Sequence, residues 1–290
     1  MLTIISYYTN SGYLAYHLRK HKVINVLPGD RLTDILESGD VTEEVLFQIN
    51  LSNYSSFFSD TEVPHQLVVK SGRRVLNNGM TDISKTKIHD ILESLELPCL
   101  KVNRNKVGDN DQVFVKSNLN YGALHERNLP ENILDRLGIE YSFELVPKND
   151  EYKKYVVKDI PESYWSHEGL VIEKFIENKN ESYLRVYKNN DNYALTCAFI
   201  PGKDIKKMDV GVRRENIFLH ADDISRAENV TYRKALMDVS KFFNSQQIDF
   251  GTVDILTDDE NTNFIIDYNH TPHWGEEDQG KFLSFLSSGE

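Results

Sequence analysis

Two carboxylates and an amide near the end of the chain have the residue types and spacing of a metal-binding group. Asp254 lies in the stretch DFGTVDILT, whose alternation is typical of a half-buried strand. After the turn formers DDEN, an apolar run carries Asp267 and Asn269 on one face of the next strand. A hairpin would bring these oxygen donors together, which suits magnesium with further ligands from water and phosphates. A surface hairpin with solvated acids is the alternative.

Two lysines occupy positions where an anion would stabilise them. Lys85 stands at the start of a predicted helix, and its charge opposes the positive end of the helix dipole. Lys116 ends the predicted buried strand VFVK, where an ammonium is costly unless it meets an anion or stays in water. Both positions favour a phosphate partner. Lys87 is the alternative to Lys85 for the same role. Either of these lysines could instead be solvated at the start of the helix.

Charged residues also follow a predicted buried strand at 170–176. This strand ends in the run EKFI, and a polar turn, Glu181 and Arg185 come next. A second charged run at 210–223 contains the triplet Arg214-Glu-Asn. An arginine beside a phosphate stabilises the charge on a transferring phosphoryl group. Solvated charges at the surface of a sheet are the alternative for both runs.

The composition limits the classes of function. The chain has 290 residues, 40% of them hydrophobic and 27% charged, which is typical of a globular protein, and its formal net charge is −12. Nucleic-acid binding needs clustered Lys and Arg and is not expected. Cys99 and Cys197 are too isolated to predict a disulfide framework or a zinc site. No apolar run predicts a signal peptide or a membrane span, so we expect a cytoplasmic protein without membrane contact.

The first 82 residues predict a small α/β domain, because apolar runs alternate with a helical pattern and turn signals. The predicted strands are the runs 2–6, 23–27, 46–50 and 66–71. Later patterns predict helices after Ser84, after Pro130, around 235–243 and at the C-terminus.

The order of these motifs over residues 77–275 resembles the ATP-grasp superfamily, including D-alanine–D-alanine ligases and glutamate-ligating members. This resemblance implies that Asp254, Asp267 and Asn269 hold magnesium under the phosphates of ATP, with manganese as a substitute. Asp267 stands where the family more often has glutamate, and His270 where a small residue or proline is common.

The resemblance also implies the contacts with ATP. Lys85 and Lys116 would bind the phosphates, although the loop after Lys116 is poor in glycine. Glu181 would bind the ribose. The residues expected to hold the adenine are Glu173, Lys174, Phe175 and Ile176.

For catalysis, the resemblance favours Lys116 and one arginine at the γ-phosphate. Arg214 matches the arginine of an R-x-N motif in the family, and Arg185 and Arg213 are rivals. Thr252 replaces an arginine that D-alanine ligases carry two residues before the first metal acid.

Two histidines, His270 and His273, flank Thr271-Pro272 just beyond the predicted metal site. A histidine there could bind the acceptor substrate or deprotonate an amine. Two surface histidines are the favoured alternative.

The fold class implied by the resemblance is mixed α+β and α/β, namely an ATP-grasp fold. A small N-terminal α/β domain (1–82) would precede two α+β subdomains (83–168 and 169–290) that clasp ATP. The implied activity joins a small-molecule or peptide carboxylate to an amine through an acyl phosphate and releases ADP and phosphate. A phosphotransferase with a hydroxyl acceptor and a non-catalytic nucleotide-binding module are the alternatives, and a homodimer is compatible with each.

Overall fold

The fold is taken from a computed structural model of the chain. It describes residues 1–7, 12–149, 151–178, 181–202, 213–272 and 279–288. Three separate sheets are present in these ranges. None of the helices in them is both long and apolar enough to cross a membrane.

The first sheet is parallel and has the strand order β2-β1-β3-β4. Its strands are β1 (Leu2–Tyr7), β2 (His21–Asn25), β3 (Glu44–Ile49) and β4 (Arg74–Val75). The helices of this part are α1 (Ala15–Leu18), α2 (Leu32–Glu37) and α3 (Pro64–Lys70). The first three predicted strands are therefore confirmed within two residues.

The predicted strand at 66–71 is wrong, because these residues belong to α3. Pro64 opens this helix at a position where its missing N–H costs nothing and its fixed φ suits a helix. Leu67 and Val68 are both buried while Val69 is exposed, a pattern that a strand would not give. The apolar run is too short for its type to be read from periodicity.

The second sheet is antiparallel and has the order β6-β5-β7. Its strands are β5 (Gln112–Ser117), β6 (Lys153–Val156) and β7 (Leu170–Lys174), and the helices near it in sequence are α4 (Lys85–Ser94), α5 (Glu131–Arg136) and α6 (Glu162–Trp165). Because β7 pairs with β5, a boundary at residue 168 would separate a strand from its sheet. We propose that the boundary between the two subdomains lies after Lys174 instead.

The third sheet is antiparallel and has the order β10-β9-β8-β11-β12. Its strands are β8 (Ser182–Asn189), β9 (Asn192–Phe199), β10 (Arg213–His220), β11 (Phe250–Thr257) and β12 (Asn263–Asn269), and its helices are α7 (Val230–Ser245) and α8 (Gln279–Ser287). The predicted hairpin is thus confirmed as β11 and β12. The predicted helices after Ser84, after Pro130, around 235–243 and near the C-terminus are confirmed as well.

Helices α4 and α7 cover one face of the third sheet. Ile88 and Leu92 of α4 and Phe242 of α7 lie in one buried cluster with Val253 and Ile255 of β11. Alternation along β11 then places Asp254 on the opposite face. The sheet therefore has an apolar face toward the helices, while its other face carries polar side chains between the apolar clusters around Tyr183 and Phe250.

The first and third sheets are joined by a polar clamp and a shared core. Asn77, whose φ is +61°, accepts hydrogen bonds from the backbone N–H groups of Asp249 (3.0 Å) and Phe250 (2.9 Å). The Asp249 carboxylate accepts one from the N–H of Asn77 at 3.1 Å. Leu2 and Ile4 of β1 pack in one cluster with Phe250. These two parts are therefore held as one unit.

The buried His65 predicts a pH dependence of stability. Its Nε2 lies 2.8 Å from the Tyr54 hydroxyl and its Nδ1 2.9 Å from the Asn78 carbonyl oxygen. Burial lowers the pKa of His65 to about 4, against about 6.5 in an unfolded chain. Between these values the unfolded chain binds the extra proton, so the free energy of unfolding falls as the pH falls, by on the order of 3 kcal/mol over the window.

Urea unfolding at several pH values between 7 and 4.5 measures this effect. His65→Gln is expected to be less stable at pH 7 and to show a shallower decline toward acid than the parent. The exposed His220 provides the control, and His220→Gln should keep the parent's slope. Equal slopes for the parent and His65→Gln would contradict the assignment.

Candidate functional site

A row of polar side chains crosses the face of the third sheet that lies opposite α4 and α7. Directly paired residues on neighbouring strands share a face, and the register pairs Asn216 with Thr196, Thr196 with Arg185, Arg185 with Asp254, and Asp254 with Asp267. Each of the five strands thus contributes one residue. The row brings together two of the predicted metal ligands and one of the predicted arginines.

A β-bulge sets the position of Asp267. Asp254 pairs with Asp267 but Ile255 pairs with Ile265, so Ile266 is an extra residue on β12. Ile265 packs under the helices, whereas Ile266 packs on the other face. A bulge of this kind redirects the following side chain, and here it turns Asp267 toward Asp254. Asn269 follows two residues later on the same face.

Arg185 binds both oxygens of Asp254. Its Nε donates to Oδ1 at 2.7 Å and its Nη2 to Oδ2 at 2.8 Å. The same Nη2 donates to the hydroxyl of the buried Tyr183 at 3.0 Å. A two-point contact between a guanidinium and a carboxylate fixes direction as well as distance. Arg185 is therefore held in the plane of the polar row.

Lys85 reaches the same face from the start of α4. Its Nζ donates to Oδ1 of Asp267 at 3.2 Å, and the lysine is 5% exposed. Burial raises the pKa of Asp267, the charge of Lys85 opposes this, and Asp254 adds to it. The lysine thus balances two neighbouring carboxylates that would otherwise repel each other.

Lys116 and Glu173 form a second pair on neighbouring strands of the second sheet. The Lys116 ammonium donates to Oε2 of Glu173, and Nε2 of His89 lies 3.2 Å from Oε1. Burial alone would raise the pKa of Glu173, but Lys116 and His89 outweigh it and lower the pKa to about 2. The Glu173 carboxylate is therefore turned toward the Lys116 ammonium and the His89 ring, and its contact with adenine stays a prediction.

The other residues expected at the base lie at the end of β7. Lys174 and Phe175 line an open groove of about 1040 Å³. The Phe175 ring lies 6.3 Å from that of Phe114, and Nζ of Lys154 lies 4.4 Å from its centroid. Ile176 is half-buried just beyond. These side chains provide a flat apolar surface bordered by cations.

Of three further predicted site residues, only the side chain of Glu181 is described. Oε1 of Glu181 accepts the backbone N–H of Gly202 at 2.7 Å, so this carboxylate binds a neighbouring turn. Arg214 lies in β10 opposite Ala198, and its side chain is outside the described residues. His273 is also outside the described residues.

The surface location favoured for His270 is wrong. His270 is 1% exposed and its Nε2 lies 2.8 Å from the carbonyl oxygen of Ile49. Burial lowers its pKa to about 4. It packs beneath the first sheet because the turn after β12 runs into the interior.

Tyr152 lies close to the two lysine–carboxylate pairs. Burial raises the pKa of its hydroxyl, Lys85 lowers it, and Asp267 and Glu173 raise it. Its ring packs against that of Phe114, with the centroids 6.4 Å apart. No pattern in the sequence marks this tyrosine, because it precedes a strand whose alternation is weak.

The loop after Lys116 is anchored at both sides. The side chain of Asn118 accepts the backbone N–H and the hydroxyl of Thr86, each at 2.9 Å, and so caps the start of α4. The backbone N–H of Asn120 donates to the Ser52 hydroxyl at 2.6 Å. A loop that is anchored in this way needs little backbone freedom, which is consistent with its small number of glycines.

The same loop contains three successive residues with left-handed backbone. The φ values of Tyr121, Gly122 and Ala123 are 51°, 66° and 61°. A Cβ on Gly122 would lie 2.3 Å from the backbone nitrogen of Asn149, so only glycine fits there. The two flanking residues store strain in a segment that contacts Tyr152.

A second polar cluster lies where the first sheet changes its winding direction. The order β2-β1-β3-β4 reverses between β1 and β3, and ligands of open parallel sheets bind beyond the strand ends at this point. Asn50 follows β3, and its amide donates to the Tyr13 hydroxyl and lies 2.7 Å from Nε2 of His125. Because an amide nitrogen only donates, Nε2 of His125 is the unprotonated nitrogen.

This cluster is linked to the polar row. The Thr271 hydroxyl lies 3.1 Å from Oδ1 of Asn50 and 3.0 Å from Oδ1 of Asn269. Sequence reasoning missed Tyr13, Asn50 and His125, because they come from three distant segments without any shared motif.

The fold of the chain is similar to the folds of several solved structures. The chain aligns over 99% of its length with 96% of a RimK domain protein ATP-grasp from Sphaerobacter thermophilus, with 10% identity and a TM-score of 0.54. It aligns over 98% with 98% of the ATP-grasp ligase PsnB complexed with minimal precursor, with 9% identity and a TM-score of 0.53. The protein has the ATP-grasp fold.

A further PsnB complex, which contains a phosphomimetic variant of minimal precursor, Mg and ADP, matches with 10% identity and a TM-score of 0.51. It spans 98% of this chain and 97% of that one. No protein-family model and no curated protein matches the chain. The likeness therefore concerns the ATP-grasp fold alone.

The residues at the predicted metal site supply some of the ligands that a magnesium ion needs. Asp254 and Asp267 are directly opposed carboxylates, the hard oxygen donors that magnesium prefers. Oδ1 of Asn269 already accepts the N–H (2.9 Å) and the hydroxyl of Thr271, so it would have to exchange one of them. No group of three His, Cys, Asp or Glu side chains that could hold a metal is found among the described residues. A magnesium ion here would need ligands from the substrate.

The Lys116–Glu173 pair predicts a stability effect at the site. Lys116→Met leaves a fully buried carboxylate without its main partner, which typically costs about 3–5 kcal/mol. Glu173→Gln in the same chain removes the stranded charge and should recover most of that loss. Chemical unfolding of the parent, both single variants and the double variant measures this. A double variant no more stable than Lys116→Met would contradict the pairing.

Proposed function

We propose that this protein is an ATP- and magnesium-dependent ligase that joins a carboxylate to an amine. The observation that carries the proposal is the convergence, on an ATP-grasp fold, of two opposed aspartates with Lys85, Lys116 and Arg185. Such a set neutralises a triphosphate and a transferring phosphoryl group. The solved ATP-grasp ligases of similar fold support this class of reaction.

The proposed reaction has two steps. A carboxylate oxygen of the substrate attacks the γ-phosphorus of ATP, and ADP leaves as an acyl phosphate forms. The amine then attacks the acyl carbon, the C–O bond to phosphate breaks, and the amine nitrogen loses a proton. Both steps gather negative charge in one place, which fixed positive groups and a metal ion can stabilise.

The lysines bind the triphosphate in this proposal. Asp267 and Glu173 hold the ammonium groups of Lys85 and Lys116 in place. Phosphate oxygens can then replace one carboxylate contact of each lysine. Phe175 and Ile176 cover the base. A magnesium ion held by Asp254, Asp267 and Asn269 would add further positive charge at the phosphates.

Arg185 replaces, in this proposal, the arginine that D-alanine ligases carry at the position of Thr252. It lies on β8 directly beside Asp254, so its guanidinium approaches the phosphates from the neighbouring strand. Asp254 and Tyr183 fix its direction. A preset donor of this kind stabilises the transferring group without reorganisation during the reaction.

The cluster of Tyr13, Asn50 and His125 is the proposed place of the acceptor. It lies at the switch point of the first sheet and is linked through Thr271 to Asn269. Burial lowers the pKa of His125, and its neutral imidazole can accept a proton from an attacking amine at Nε2 if the Asn50 amide releases that nitrogen. The class of acceptor is thus an amine with hydrogen-bonding groups.

Hydroxylamine trapping tests the proposed function. The protein is incubated with MgATP, hydroxylamine and pools of amino acids or peptides, and ADP and hydroxamate are measured. Hydroxamate formation supports the ligase. ADP with a phosphorylated alcohol would instead indicate a phosphotransferase, and ATP binding without turnover a nucleotide-binding module. Absence of ATP binding in calorimetry would overturn every nucleotide role.

Asp267→Asn tests the metal site. The variant loses a charge that holds magnesium, so we expect magnesium-dependent ADP release to fall about 100-fold or more, as a loss of roughly 3 kcal/mol implies. ATP binding in EDTA should stay close to the parent. Glu260→Gln removes one exposed charge from the turn of the same hairpin and should leave both unchanged. Ordinary turnover by Asp267→Asn would remove the hairpin from the metal site.

A further inference from the structure

One face of α4 contacts carboxylates on two different sheets. Lys85 and His89 are four residues apart and therefore lie on the same side of the helix. Lys85 binds Asp267 on β12, while His89 lies against Glu173 on β7. A single helix thus bridges the second and third sheets.

His89 is not explained by packing alone. It is 2% exposed, and its Nδ1 is buried without a hydrogen-bond partner among the described residues. A buried nitrogen without a hydrogen-bond partner is destabilising. An apolar side chain of similar size would avoid this cost. The imidazole is therefore better explained by its contact with Glu173.

Glu173 needs a second partner if Lys116 is to bind a phosphate. The carboxylate is 1% exposed and is shared between Lys116 and His89. A lysine that turns toward a nucleotide would leave a buried charge alone, which is strongly unfavourable. Nε2 of His89, 3.2 Å from Oε1, is placed to stay with the carboxylate. The contact is not aligned as a full hydrogen bond, so it can tighten as Lys116 moves.

We propose that His89 is a positioning residue that holds Glu173 and, through it, directs Lys116 toward the nucleotide. This role rests on the proposed nucleotide binding and goes beyond it, because His89 itself need not touch ATP. It also gives α4 a function. The helix fixes the separation of the two lysines, one directly and one through His89 and Glu173.

A matched pair of amide variants tests the role. The side-chain nitrogen of Gln reaches the position of Nε2, whereas that of Asn reaches only as far as Nδ1. MgATP affinity is measured by calorimetry, and thermal unfolding confirms that each variant is folded. We expect His89→Asn to weaken binding about 10-fold and His89→Gln to stay within about threefold of the parent, which corresponds to a difference near 1 kcal/mol.

A double-mutant cycle tests the route through Glu173. If His89 acts through the carboxylate, His89→Asn should have little further effect on MgATP affinity in a Glu173→Gln chain. Leu92→Ala, on the same helix but in the apolar core, is the control that lowers stability without changing affinity.

Three results would overturn the inference. These are parent-like affinity for His89→Asn, equal losses for the Asn and Gln variants, and additive effects in the cycle. A parent protein that does not bind MgATP at all would instead overturn the proposed function, and the role of His89 with it.

Discussion

The site depends on the need to pair every charge that is taken out of water. Removing a carboxylate or an ammonium from solvent costs several kcal/mol, and a partner at contact distance offsets much of this. The site meets this requirement with three ion pairs, each of which joins two different secondary-structure elements. The pairs are Lys85 with Asp267, Lys116 with Glu173, and Arg185 with Asp254.

These pairs also determine geometry. One joins α4 to β12, one joins β5 to β7, and one joins β8 to β11, so the cations that would meet a phosphate are placed by the backbone of both sheets. The bulge at Ile266 also helps to place the charged side chains, because it sets Asp267 opposite Asp254. The catalytic proposal and the stability of the cleft therefore share one physical basis.

Local pattern in the sequence predicted the hairpin, the helix after Ser84 and the strand that ends at Lys116. Alternation, turn residues and helical spacing are short-range signals, and the structure confirms those elements. Such signals could not predict the pairing of Arg185 with Asp254, because these two residues are 69 positions apart in the sequence. His89 looked like an ordinary helix residue, and Asn50 like an ordinary strand end. Their roles follow from neighbours that only the tertiary fold supplies.

The shared core of the first and third sheets has a consequence for biosynthesis. Leu2 and Ile4 of β1 and Leu46 of β3 share one buried cluster with Phe250, Phe282 and Leu286, which lie more than 200 positions later in the sequence. Chains emerge from the ribosome with the N-terminus first. Leu14, Ala15 and Leu18 join this cluster early in synthesis, but it is completed only when residues 250–286 have been made.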